Sequence, residues 1–102
     1  MSFGLPDRIV NEAIAVFKMF PQIEKAVLYG SRAKGTYENG SDINLVLIGT
    51  DIDITTVYKI EDKLDDLLLP YTFDISLLSN IDNKNLLDHI ERVGKPFYVK
   101  EY

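Results

Sequence analysis

The stretch LYGSRAKGTYENGSDINLVLIG, residues 28–49, carries most of the information about fold and function in this chain. It leads from one apolar segment, through a turn rich in glycine, serine and basic residues, into a second apolar segment. Asp42 and Asn44 stand two residues apart at the start of that second segment. Side chains two apart on a strand point to the same face, with their α-carbons about 6–7 Å apart. A carboxylate and an amide are therefore predicted side by side on one face of a strand.

Three further segments predict the rest of a small sheet. Residues 25–30 (KAVLYG) have the pattern of a short buried strand, and residues 71–79 (YTFDISLLS) alternate apolar and polar side chains. Residues 97–100 (FYVK) either add a short final strand or pack as a tail. Residues 42–49 are apolar on both faces beyond Asn44, which indicates a sheet that is covered on both sides at its centre.

Apolar residues at helical spacing predict three helices around these strands. The first helix is expected to begin at Pro6 and Asp7 and to end at Pro21. The second is expected to begin at Thr55 or Thr56 and to end at Pro70. The third is expected to begin at Asp82, with Gly94 at its C′ position and Pro96 beyond it. The order helix, strand, strand, helix, strand, helix predicts one α+β (α/β-like) domain over residues 1–102, a small mixed β-sheet with flanking helices.

Composition excludes several classes of function. The net charge is −5, with 16 acidic and 11 basic residues, which disfavours direct nucleic-acid binding because such binding needs a cationic surface. The chain has no cysteine, so neither a disulfide framework nor a zinc–thiolate site is possible, and a reducing cytoplasmic location is expected. Its first residues lack the pattern of a signal peptide, and no segment is apolar for long enough to span a bilayer.

A second acidic residue lies within the third predicted strand. Asp74 stands between Phe73 and Ile75, where an acid is costly to bury unless something pairs with it. If this strand lies beside the second, Asp74 approaches Asp42 and Asn44. Two carboxylates and an amide oxygen form a hard-oxygen site suited to Mg²⁺ or Mn²⁺.

The turn before the second strand has the composition of a phosphate-binding loop. Gly30 lets the backbone come close to a ligand, and Ser31 offers a hydroxyl and an N–H to an anion. Arg32 and Lys34 add positive charge at the same place. A phosphate cradle next to an acidic metal site is what a nucleoside triphosphate requires. Each element alone has a plainer explanation: the turn is an ordinary one, and Asp42 caps its strand or pairs with Arg32.

Together these segments resemble a known family. GSRAKGTYENGSDINL looks like the G-S, ten residues, D-x-D signature of the DNA polymerase β-like nucleotidyltransferase superfamily, whose smallest members, the minimal nucleotidyltransferases, are often encoded beside a HEPN-domain partner. The resemblance extends from FGLPDRIV to LLDHIERVGKPFY and includes the later acid in LPYTFDIS.

The resemblance implies a nucleotidyltransferase fold and the transfer of a nucleoside monophosphate, AMP from ATP, to an acceptor hydroxyl. By that resemblance Gly30 and Ser31, with Arg32 and Lys34 in the basic turn, bind the nucleotide. Position 42, position 44 and Asp74 hold two Mg²⁺ or Mn²⁺ ions and form the catalytic set. The implied acceptor is a HEPN-domain protein, which in some pairs is a ribonuclease toxin adenylylated by its antitoxin and in others a substrate-binding subunit.

One position departs from the family pattern. Asn44 stands where the family has an aspartate, so the site keeps a carbonyl oxygen but loses one of three negative charges. We expect weaker binding of the second ion and a transfer rate lowered by orders of magnitude. The alternative function is therefore a binding module, an antitoxin that neutralises its partner by contact alone.

Other residues favour structural roles. His89, with Asp88 and Glu91 as its neighbours on the last predicted helix, is expected at a solvated or boundary position rather than in a site. Tyr29 either stacks on a base or packs at the end of its strand. Tyr98 and Tyr102 either form an edge for a partner or, more simply, seal the core.

Overall fold

The computed structural model of the chain describes residues 2–101; Tyr102 of the predicted C-terminal edge lies outside them. Its elements are, in chain order, α1 (Asp7–Lys18), β1 (Ile23–Tyr29), α2 (Ser31–Lys34), β2 (Ile43–Gly49), α3 (Ile54–Asp66), β3 (Phe73–Leu77), a 3-10 turn (Leu78–Asn80), α4 (Lys84–Val93) and β4 (Lys95–Val99). The predicted order is confirmed, with one unpredicted helix, the single turn α2. Of the two possibilities for the C-terminal segment, the strand is correct.

The four strands form one mixed sheet in the order β3-β2-β1-β4. β1 is antiparallel to both β2 and β4, whereas β2 and β3 are parallel and are connected through α3. A parallel pair needs such a crossover, because the chain must return to the same end of the sheet. The predicted α+β class with flanking helices is confirmed.

Helices cover both faces of the sheet. On one face α1 and α3 pack against the strands through a large apolar cluster that includes Phe17, Leu45 and Ile60. On the other face α4 packs through a smaller cluster centred on Val46 and Ile90. Both residues are buried, which explains why β2 is apolar on both faces beyond Asn44. Asn44 and Asp74 lie on the α4 side of the sheet, since they share the strand face of Val46.

Two predicted helix caps are wrong by one to three residues. Asp53, not Thr55 or Thr56, is the N-cap of α3; its Oδ1 accepts hydrogen bonds from the N–H and the hydroxyl of Thr56, at 2.8 and 3.0 Å. Asn83, not Asp82, is the N-cap of α4, and its Oδ1 accepts from Leu86 N at 3.1 Å. In both cases the acceptor lies three residues before its donor, as N-capping requires.

The glycine at the end of α4 is needed for space rather than for a left-handed turn. Gly94 is the C-cap with φ −60° and ψ 141°, so the predicted C′ role is wrong. A Cβ on Gly94 would overlap Ile90 O and lie 2.8 Å from Val27 Cγ1. Pro96 does not break the chain but belongs to β4, an edge strand, where a missing N–H is tolerated.

Candidate active site

Three side chains lie side by side across one face of the sheet. Asn44 in β2 is in register with Tyr29 in β1 and with Asp74 in β3. Residues in register on neighbouring strands project from the same face, about 5 Å apart. The predicted approach of Asp74 to Asn44 therefore follows from the strand pairing. They lie at the end of the sheet where β1 ends and β2 and β3 begin. Asp42, Asn44 and Asp74, the three possible metal ligands at this end, are called the row below.

Asp42 lies just before β2, two residues from Asn44. The backbone remains paired at this point, because Ile43 N donates to Thr72 O at 2.8 Å. Asp42 and Asp74 are exposed, and Asn44 is half-buried. The acidic groups at this end of the sheet are thus open to a ligand from solvent.

The turn after β1 packs directly against Asn44. Gly30 has φ 81° and ψ −157°, a conformation that only glycine adopts without strain. A Cβ at Gly30 would lie 2.6 Å from Asn44 Nδ2, so a larger residue would displace the amide. Gly30 is therefore required both by its conformation and by the close approach of the turn to the row.

The other predicted nucleotide-binding residues of the turn occupy the short helix α2. Ser31 is its first residue and is partly exposed, next to Gly30. Lys34 is exposed, and its N–H donates to Gly30 O at 3.0 Å, which closes the helical turn. Ser31 and Lys34 are both accessible to a ligand near the end of β1.

Arg32 is placed differently from these two residues. Only 3% of it is exposed. Its Nε donates to Ser41 O at 3.1 Å and its Nη1 to Phe3 O at 2.9 Å, while its guanidinium lies over the rings of Tyr37 and Tyr71. In this structure these donors hold the N-terminal segment and the loop before β2, and a phosphate contact by Arg32 stays a prediction. The alternative pairing of Arg32 with Asp42 does not occur among the ion pairs of the described residues.

His89 contacts the turn, which the sequence reasoning missed. Its Nε2 accepts a hydrogen bond from Gly30 N at 3.0 Å, and its ring meets the ring of Tyr29 edge to face, with centroids 6.2 Å apart. His89 is half-buried, so of the two expected positions the boundary one is correct and the solvated one is wrong. One signal could have found it: His89 lies on the apolar stripe of α4, between Leu86 and Val93.

Tyr29 packs at the end of its strand rather than standing free for a base. It is buried, and its hydroxyl is hydrogen-bonded to Ser76. Burial raises its pKa above the usual value of 10.0, the hydrogen bond to Ser76 opposes this, and the nearby Asp74 carboxylate adds to the increase. The effect of Asp74 on Tyr29 is consistent with the two side chains sharing one face. Tyr98 is likewise buried, so it seals the core.

The oxygen donors of the row suit a hard divalent cation, but only two of its three side chains carry a negative charge. Asp42 and Asp74 supply carboxylates, and Asn44 supplies one neutral carbonyl oxygen. Among residues 2–101 no group of three or more His, Cys, Asp or Glu side chains is arranged to hold a metal ion. The residue types fit Mg²⁺ or Mn²⁺, with one carboxylate fewer than the family signature provides.

Within residues 2–101 no helix is long and apolar enough to cross a membrane.

Several solved structures have the same fold. A chain of a toxin–antitoxin complex with AMP-PNP superposes with a TM-score of 0.72 at 22% identity, covering 90% of this chain and 74% of that one. A chain of the tri-AMPylated Shewanella oneidensis HEPN toxin in complex with MNT antitoxin gives 0.67 at 19% identity, covering 92% and 72%. A chain of the toxin–antitoxin MntA-HepT gives 0.68 at 18% identity, covering 93% and 74%. At such low identity these likenesses establish the fold.

The family is established by the sequence itself. No curated protein matches the chain. The family model described as "Polymerase beta, Nucleotidyltransferase" matches residues 11–102, which include β1, the turn, the Asp42–Asn44 pair and Asp74. With the fold and the arrangement of the row in agreement, this chain belongs to the polymerase β nucleotidyltransferase family.

Proposed function

We propose that this chain is a metal-dependent nucleotidyltransferase that transfers AMP from ATP to an acceptor hydroxyl. The observation that carries the proposal is the position of the Gly30 turn directly against Asn44, which is itself in register with Asp74. A loop able to bind phosphate thus adjoins a row of oxygen ligands. Family membership supports the reaction class.

The turn would bind the triphosphate. Ser31 offers a hydroxyl and a backbone N–H, and Lys34 brings an exposed positive charge to the same short helix. Hydrogen bonds to charged phosphate oxygens are about twice as strong as those between neutral groups. Arg32 would contribute indirectly, because its two backbone hydrogen bonds hold the segments that flank the turn.

Asp42, Asn44 and Asp74 are the residues that would hold Mg²⁺ or Mn²⁺, in a two-ion site. Such ions, when bound, neutralise phosphate charge and make an acceptor hydroxyl easier to deprotonate. The protein's own contribution is to keep two carboxylates exposed at the end of the sheet where the turn lies. Because Asn44 carries no charge, we expect weak binding of the second ion and slow transfer.

The acceptor would come from another protein. Most of the 102 residues build the sheet and its helices, and the site is open at the sheet end, with little surface left to bind a large acceptor. Solved relatives occur in toxin–antitoxin complexes, one of which contains an AMPylated HEPN toxin. We therefore propose a HEPN-domain protein as partner and acceptor, with this chain as its antitoxin in the cytoplasm.

Asn44 favours a second candidate function. A chain that lacks one charged metal ligand can keep its fold and still bind its partner, and so neutralise a toxin by contact without transferring AMP. This second function needs the partner-binding surface but not the row.

Label transfer separates the two functions. The chain, its Asn44→Asp variant and a doubly substituted control, Asn44→Asp with Asp74→Asn, are incubated with Mg²⁺, ATP labelled at the α-phosphate and a HEPN-domain protein encoded next to this chain. Transfer by the wild type supports the enzyme. Transfer by Asn44→Asp alone, with a stable complex of the wild type, shows that Asn44 blocks transfer and supports the contact antitoxin. A stable complex without transfer by any variant supports the contact antitoxin and rejects the enzyme. If neither label transfer nor a complex is detected, both functions are rejected.

A further inference from the structure

We infer that His89 is a positioning residue for the nucleotide-binding turn, acting through the backbone of Gly30. The inference rests on the proposed function, since it concerns the same turn. It adds a residue that lies 59 positions away in the chain and outside the family signature.

The contact is specific in geometry and in chemistry. His89 Nε2 lies 3.0 Å from Gly30 N, and the two groups are partly buried. The backbone N–H is the donor, so Nε2 is unprotonated and the imidazole proton lies on Nδ1. The edge-to-face contact with the ring of Tyr29, with an interplanar angle of 82°, fixes the orientation of the imidazole relative to that ring.

The charged residues beside His89 on its own helix do not account for its position. Asp88 is paired with Arg92, whose Nε lies 2.7 Å from Asp88 Oδ2 at the surface of α4. Ile90, next to His89, anchors the helix in the cluster that includes Tyr29. The helix is thus packed against the sheet, and His89 extends from it to the turn.

The consequence for the turn follows from Gly30. Because glycine has no side chain, residue 30 can adopt many backbone conformations besides the observed one, with φ 81° and ψ −157°. The hydrogen bond from Gly30 N to His89 selects one of these conformations before a ligand binds. Ser31, the next residue, is then held at the start of α2, where it is accessible to a ligand. A preorganised loop binds more tightly because less entropy is lost.

The test compares three substitutions at one position. In His89→Gln the amide oxygen reaches about as far as Nε2 and can accept the hydrogen bond, whereas His89→Asn is too short and His89→Leu has no acceptor. We measure ATP affinity by titration in Mg²⁺ and the exchange rate of the Gly30 amide proton by NMR, after verifying folding by circular dichroism.

We expect His89→Gln to bind ATP within about twofold of wild type, and His89→Leu and His89→Asn to bind about tenfold more weakly, with faster exchange at Gly30. The Gln variant also lacks the ring, so its rescue separates the acceptor from the contact with Tyr29. Equal or tighter binding by His89→Leu overturns the inference, as does a Gln variant as weak as Leu. If the wild type binds ATP and only the His89 effect is missing, the proposed function stands. If neither the wild type nor Asn44→Asp binds ATP, both fall.

Discussion

Replacing Asn44 by aspartate should make the protein less stable without divalent ions and more stable with them. The substitution keeps the shape of the side chain and adds one negative charge to the row. Asp74 is in register with position 44 on the neighbouring parallel strand, and Asp42 lies two residues before it. The new charge therefore has two carboxylates as neighbours.

The cost without metal follows from Coulomb's law. Two unit charges about 5 Å apart repel by about 0.8 kcal/mol in a dielectric of 80 and by about 3 kcal/mol in a dielectric of 20. Asp74 is exposed, so the lower end applies, and we take about 1 kcal/mol. For a domain of about 100 residues this corresponds to a melting temperature about 4–8 °C lower.

The gain with metal is larger. A carboxylate whose charge is centred about 3 Å from a divalent ion contributes about 2.8 kcal/mol more attraction than a neutral amide, even in a dielectric of 80, which is about a hundredfold in affinity. At a Mn²⁺ concentration far above both dissociation constants, this difference appears as extra stability of the same size. Subtracting the repulsion leaves the variant about 2 kcal/mol more stable than wild type.

The assay is thermal unfolding of both proteins, with EDTA and with saturating Mn²⁺, together with calorimetric titration of the ion. Asn11→Asp, the same chemical change on the exposed surface of α1, is the matched control and should show neither effect. The reasoning is refuted if the order of stabilities does not reverse between EDTA and Mn²⁺, or if both proteins bind the ion equally.

Three further predictions concern the residues around the row. Gly30→Ala should lose about 1–2 kcal/mol of unfolding free energy through its positive φ, and more through contact with Asn44 Nδ2. Gly40→Ala, with φ 86° and open space around the added Cβ, should show the conformational cost alone. Equal losses in urea unfolding would contradict the close approach of the turn to Asn44. Arg32→Met should cost about 2–4 kcal/mol, because two partly buried carbonyls lose their donor; wild-type stability in the same assay would rule out the structural role. Because the pKa of Tyr29 is raised in the folded protein, the Tyr29 hydroxyl loses its proton at lower pH in the unfolded chain than in the folded one, so stability should fall as pH rises above about 10. Tyr29→Phe should lessen this fall in unfolding experiments at pH 9–11.

The row could be predicted because it depends on local rules. Alternation along a strand places Asp42 and Asn44 on one face, and a helical crossover between two buried segments implies parallel neighbours. If the third strand lies beside the second, Asp74 approaches Asn44, and the register between the two residues confirms this. The covering of both faces followed from the apolar pattern of the second strand, whereas the strand order came from the structure.

The residues that hold the turn could not be predicted in this way. Arg32 belongs to a residue type that is rarely buried, and its partners, such as the carbonyl of Phe3, lie in segments with no helical or strand pattern. His89 is 59 residues from Gly30, and only the packing of α4 on the sheet brings the two together. Both contacts have backbone atoms as partners, so the sequence does not identify the partner, although the place of His89 on the apolar stripe of α4 indicates that its side chain faces the sheet.

This division between the row and its support bears on the meaning of Asn44. The turn is held by the backbone contacts of His89 and Arg32, and neither of them needs a charge at position 44. An aspartate there would repel Asp74 and lower the stability of the free protein, so folding gives no reason to keep one. Only metal-dependent chemistry gives that reason. On the proposed function, Asn44 would remove a charge that metal binding uses and nothing that the fold needs, which is why measured transfer, and not stability, decides between the enzyme and the contact antitoxin.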